Sequence, residues 1–220
     1  MGKVKQWKQV HAEGEPALTF SQGKRFIDTF AGEGELVSNC SGFTSSRLQG
    51  IQIWDGEILS DFNAVGSSHG GRGVECLGVF EDFTAKTYSA FDGDTAEQMV
   101  EEGVKWTFGF VGCPVRAGEP QDLDGSGRFP DFQGKRSARN VVGVSASGEP
   151  MLLSVYGSTG RGEGLTLNEL AVVCKMLGFH ECANIDGGGS AQAMVRGRVY
   201  HPSADSARRR RVPSVMSIRV

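Results

Sequence analysis

No stretch of this 220-residue chain approaches the roughly 20 consecutive apolar residues that a membrane-spanning helix requires. Neither sign of charge dominates, with 23 Lys and Arg against 26 Asp and Glu and a formal balance of −3. That excludes a polybasic membrane binder and a general nucleic-acid coat, both of which need a strong positive excess. Cysteine is sparse. The five residues, Cys40, Cys76, Cys113, Cys174 and Cys182, are odd in number and form no CxxC pair. Zinc and a disulfide framework are therefore not read from them, and free thiols in a reducing compartment are. The opening MGKVKQWKQVHAEGEP has charges but no apolar segment, so it does not read as a secretory signal. A cytoplasmic or virion-associated location is the expectation.

What is present suits a single folded domain over residues 1–220, with 1–29 as an N-terminal strand or extension. At 39% hydrophobic and 22% charged the chain can bury a sizeable core. Glycine is the outlier: 32 residues is about twice the usual share of about 7%, which points to many turns and close backbone approaches. Asp55-Gly56 between Gln49–Trp54 and Glu57–Leu59 predicts a hairpin, as does Ala146–Glu149 between Asn140–Ser145 and Met151–Tyr156. Further strands are expected at Cys76–Phe80, Lys86–Ala90, Glu181–Ile185 and Val212–Val220. Thr166 with Glu169 three residues on forms a capping box ahead of Leu167, Leu170, Ala171, Cys174 and Leu177, and Gly178 supplies the stop. A second helix is expected from about Thr95 to Glu102. The stretch 117–136 reads as one long loop, and long loops inside compact domains are often functional. The expected class is α+β, with mixed, mostly antiparallel sheets and a few helices.

The segment most suggestive of chemistry is Ala183-Asn184-Ile185-Asp186-Gly187-Gly188-Gly189-Ser190. Three glycines at a strand end contribute no packing, and consecutive bare amides form a concave nest for anionic oxygen. Asp186 adds a carboxylate and Ser190 a hydroxyl, so a phosphate or sugar-phosphate cradle is expected there. Asp122-Leu123-Asp124-Gly125 resembles the front of a calcium loop, but Gln133 stands where a bidentate Glu belongs, so calcium at Asp122 and Asp124 would be weak. No other cofactor is expected. Ser67–Gly73, with His69 and Arg72, joins the site only if it folds over Asp186.

The run Asn184–Ser190 resembles the NLDGGGS signature of the phosphodiester glycosidase family. Ala138–Val144 resembles that family's PRTAIGI strand, Gly164–Leu170 its GLTLAEL helix start, and Trp106–Phe110 its FSFGP segment. Asn39-Cys40-Ser41-Gly42-Phe43 sits where the family has NGGFF, and Arg210–Ser214 resembles the closing RPVPNA strand. The resemblance spans about residues 30–220. Cys40, Ser41, Ala138, Ala191 and Ser214 depart from it. The resemblance implies hydrolysis between a sugar's anomeric carbon and a phosphodiester, as in an N-acetylglucosamine-1-phosphodiester. Such cleavage wants a carboxylate near the sugar and cations or amides near the phosphate. It implies Asp186, Asn39 and Arg139 as catalytic residues, Asp186 being the carboxylate. Asn184, Gly187, Gly188, Gly189, Ser190 and Arg210 would bind substrate. Arg139 and Arg210 would clamp phosphate, while Asn39 and Asn184 would orient sugar hydroxyls or the Asp. Glu75 and Asp61 are unplaced alternatives for proton transfer. The partner would be a carbohydrate-phosphate small molecule or polymer, in a setting such as a phage tail. The alternative on the same fold is a non-catalytic module binding a sugar phosphate or a nucleotide messenger.

Overall fold

The computed structural model describes residues 6–11, 24, 26–43, 48–61, 74–158, 162–200 and 210–219. His69 and Arg72 lie outside them. In chain order the strands are β1 (Gln6–His11), β2 (Leu36–Asn39), β3 (Gln52–Trp54), β4 (Glu57–Ser60), β5 (Glu75–Phe80), β6 (Ala85–Ser89), β7 (Val104–Phe108), β8 (Val115–Arg116), β9 (Glu119–Pro120), β10 (Arg139–Ser145), β11 (Pro150–Val155), β12 (Phe179–Ile185), β13 (Ala193–Val195), β14 (Arg198–Tyr200) and β15 (Ser214–Arg219). Among the described residues two α-helices join them, α1 (Ala96–Glu101) and α2 (Leu167–Met176). No helix among the described residues is long and apolar enough to cross a membrane.

The strands form three five-stranded sheets, ordered β1-β15-β2-β13-β14, β11-β10-β12-β8-β9 and β4-β3-β7-β5-β6. Every pairing is antiparallel. The predicted α+β class is what the chain adopts. Both predicted hairpins form, β3–β4 and β10–β11. At the first, Asp55 and Gly56 both take positive φ, 50° and 83°, the primed geometry that matches the twist of paired strands.

One core is shared by all three sheets. Trp7, Met216 and Ile218 meet Val142, Val144, Ala183 and Ile185, and these meet Leu77, Val79 and Phe108. Alternation along β10 explains the layering: Val142 and Val144 face that core, while Val141 faces the other side with Leu170 and Cys174 of α2. Helix α2 starts as its sequence predicts, with the Thr166 hydroxyl accepting from the Glu169 amide and the Glu169 carboxylate accepting from the Thr166 amide. Strands β2 and β12 end side by side at Asn39 and Ile185, and β10 begins there at Arg139, with Asn140 opposite Ile185. The three strand ends converge on the segment that begins at Asp186.

Candidate active site

Asp186 leaves β12 with its amide donating to the Cys40 carbonyl at 3.0 Å. Beyond it the chain makes a single 3-10 turn over Gly188–Ser190. This turn overturns the expectation of an open amide cradle. The Gly188 N–H donates to the Ala138 carbonyl at 2.9 Å and the Ser190 N–H to the Gly187 carbonyl at 3.0 Å. A third amide, that of Gly187, supports the Asp186 carboxylate. A turn tight enough to follow β12 closes most of its donors internally, so Gly187–Gly189 do not offer a row of free amides. Their glycine identity has a packing cause instead: a Cβ on Gly187 would stand 2.6 Å from the Ala138 carbonyl oxygen, and one on Gly189 would stand 2.9 Å from Arg210 Nη2.

The segment lines a cavity of about 440 Å3. Asp186, Gly187–Gly189, Asn184, Arg139 and Arg210 all contribute to its lining. Burial pushes the Asp186 carboxyl up to about 7, even though a hydrogen bond from Ser190, the charge of Arg210 and the Gly187 amide all pull it down. Ser190 also accepts from Arg210 Nη1 at 3.0 Å, so its hydroxyl links the carboxyl to the guanidinium. Arg139 is only 4% exposed. Its Nε donates to the Leu165 carbonyl at 3.2 Å and its Nη2 to the Lys135 carbonyl at 2.9 Å. Burial draws this guanidinium down to about 10, so it remains cationic at neutral pH. Among the described residues no carboxylate lies within ion-pair distance of it. Asp124 offsets part of the cost of its burial from beyond ion-pair range, and the guanidinium borders the cavity.

The two asparagines serve different purposes. Asn184 lines the cavity; its Nδ2 donates to the Val111 carbonyl at 3.0 Å, while its buried Oδ1 has no partner. Asn39 does not line the cavity. It lies beneath, donating from Nδ2 to the Asp186 carbonyl at 2.6 Å and accepting at Oδ1 from Asn140 and from the Gln192 amide. Of the two roles expected of Asn39, orienting sugar hydroxyls or the Asp, these contacts supply the second, through the Asp186 backbone carbonyl. Glu75 is equally remote, fully buried and held by Ser89, the Cys113 amide and Arg128. Asp122 and Asp124 accept hydrogen bonds from Asn168, Gly125 and Gly134. No group of three or more metal-ligating side chains occurs among the described residues.

Sequence reasoning missed Phe110, Asp131, Phe132, Lys135 and Ser137, all of which line the cavity. Three of them belong to the stretch singled out only as a long loop. Phe110 packs against Gly42, where any Cβ would run into its ring. The sequence cannot show that contact, since the two residues are far apart along the chain.

A three-sheet antiparallel domain with a half-buried carboxyl and two guanidiniums lining the same cavity defines the class of fold and site. The phosphodiester glycosidase family matches residues 23–219. The chain belongs to that family. It is 27% identical over 196 residues to the SPbeta prophage-derived uncharacterized protein YomE of Bacillus subtilis, covering 89% of this chain and 28% of that protein. It is 29% identical over 183 residues to the N-acetylglucosamine-1-phosphodiester alpha-N-acetylglucosaminidase of Bos taurus, covering 78% of this chain and 34% of the relative. The chain thus spans about a third of the length of these curated relatives. The catalytic domain of the zebrafish enzyme of that name, auto-inhibited by its pro-peptide, shares the fold at TM-score 0.72 and 20% identity, over 97% of this chain and 73% of that one.

Proposed function

We propose that this chain is a hydrolase that cleaves a sugar-1-phosphate diester between the anomeric carbon and the phosphate. Water adds across that bond, its hydroxyl to the sugar and its proton to the phosphomonoester side. The observation that carries the reading is one cavity holding Asp186, which titrates near neutrality, beside the Arg139 guanidinium, which has no carboxylate within ion-pair distance among the described residues. The developing oxocarbenium ion suits the carboxylate, and the departing phosphate suits Arg139, Lys135 and Arg210. Asp131 provides a second carboxylate in the same cavity, as two-carboxylate glycoside chemistry needs. Likeness to a prophage-derived protein supports a phage-encoded, virion-associated setting with a surface polymer carrying sugar-phosphate diesters as substrate.

Incubation with N-acetylglucosamine 1-(methyl phosphate) tests the reading. The expected products are N-acetylglucosamine and methyl phosphate, with turnover reduced by about 100-fold or more in Asp186→Asn. Turnover rising through pH 7 would assign the ionised Asp186 as base or nucleophile, and turnover falling there would assign the protonated form as acid. Binding of N-acetylglucosamine 1-phosphate by a wild-type protein without turnover would instead make the chain a binding module.

A further inference from the structure

The stretch 117–136 contributes Asp131, Phe132 and Lys135 to the cavity. The Phe132 ring meets Phe110 edge-on, with centroids 5.9 Å apart and planes at 78°. Behind them Leu123 and Phe129 are buried with Val111 and Leu167. Several contacts fasten this stretch to the rest of the domain, among them Arg128 on Glu75 and Arg136 on Glu169, and Asp124 ties its far end to α2. Asp124 Oδ1 accepts from the Gly134 amide at 2.9 Å, and its Oδ2 accepts from the Asn168 amide in the first turn of α2, also at 2.9 Å. Asn168 reciprocates: its Oδ1 accepts from the Leu123 and Asp124 amides at 2.7 and 2.8 Å, and its Nδ2 donates to Asp122 at 2.7 Å. On the cavity side, Arg139 holds the Lys135 carbonyl at 2.9 Å. The stretch is therefore clamped between α2 and the buried cation of the site.

We propose that residues 129–135 form the specificity wall for the sugar of the substrate, with Asp124 and Asn168 as positioning residues that hold the wall in place. The proposal rests on the phosphodiester glycosidase reading. The ligand is a pyranose bearing an anionic substituent at its anomeric carbon. Its C–H face lies against the Phe110–Phe132 pair. Its polar edge meets Asp131 and donates a hydroxyl or amide proton to Asn184 Oδ1, the buried acceptor without a partner. Lys135 stands toward the phosphate with Arg139. The carboxylates that resemble a calcium loop thus act as a mechanical brace.

The test compares wild type, Asp124→Asn, Phe132→Ala and the double variant. Each is assayed for KM and kcat on N-acetylglucosamine 1-(methyl phosphate), and by calorimetry with N-acetylglucosamine 1-phosphate and with inorganic phosphate. Asp124→Asn is expected to raise KM about 10-fold with kcat within about 3-fold, because the wall binds the sugar in ground and transition states alike. It is also expected to weaken the sugar phosphate while leaving inorganic phosphate within about 2-fold. Adding it to Phe132→Ala should cost less than about 3-fold more, since both changes remove one wall. Equal weakening of both probes, fully additive effects, or a fall in melting temperature with KM unchanged would each overturn the proposal. Should Asp124→Asn not fold, Phe132→Ala alone gives the same contrast between the two probes. A wild type that binds both probes without turnover overturns the hydrolase reading, while the calorimetry still decides the wall; a wild type that binds neither overturns both.

Discussion

Asp186 carries the largest electrostatic consequence of any single side chain in the site. Its carboxyl moves from 3.8 to about 7 on folding, because burial disfavours the charged form. Between those values the native chain keeps a proton that the unfolded chain has released. The contribution of this group to stability is therefore full below the lower value, falls as pH rises, and levels off above about 7. Asp186→Asn removes that titration. Its melting temperature is expected to exceed that of wild type by a margin that widens from pH 5 to pH 8, matching a stability difference on the order of 4 kcal/mol at the upper end. A margin that stays constant across thermal scans in that range would contradict the assignment. The neighbouring glycines differ in what they touch. Gly187→Ala drives a Cβ against the Ala138 backbone and is expected to cost about 1–3 kcal/mol along with most activity. Gly189→Ala meets only the end of the Arg210 side chain, so stability should hold while substrate binding weakens. Denaturant titration beside KM separates the two.

The elements divide by how local their causes are. Helix α2 was legible down to its cap, because Thr166 and Glu169 at its start and Gly178 past its end each act on backbone within a turn of themselves. Thr166→Ala leaves the Glu169 amide without its acceptor, and is expected to cost about 1 kcal/mol, or roughly 2–4 °C in a chain of this size. An unchanged melting curve would mean that tertiary packing alone holds the helix start. The two hairpins were legible for the same reason as the cap. Strands β8, β9, β13 and β14 were not, being two or three residues long. β8 and β13 exist because a longer neighbour, β12 or β2, supplies their partners, β9 and β14 pair onto them in turn, and no periodicity fits into so few residues.

At the scale of the molecule, the three sheets share a core and frame a cavity where β2, β10 and β12 terminate or begin. Lys135, Arg139 and Arg210 converge there against Asp131 and a half-titrated Asp186, although the chain as a whole carries −3. Attraction of an anionic substrate is therefore local and open to screening. KM for N-acetylglucosamine 1-(methyl phosphate) is expected to rise several-fold between about 20 and 200 mM salt with kcat little changed. A KM indifferent to salt would remove the cationic side of the cavity from substrate capture.

The run from Asn184 to Ser190, the capped helix, the turns and the family likeness could all be read along the chain, since each depends on residues adjacent or nearly so. Order in space could not. Phe110, Phe132 and Lys135 enter the cavity, Asn39 slips beneath Asp186, and the glycine amides turn inward, because sheets bring together strands more than a hundred residues apart. Partners at such distances, as Asn39 and Asn140 are, leave no mark in local spacing. Burial then sets the charge on each group, and burial belongs to the assembled fold.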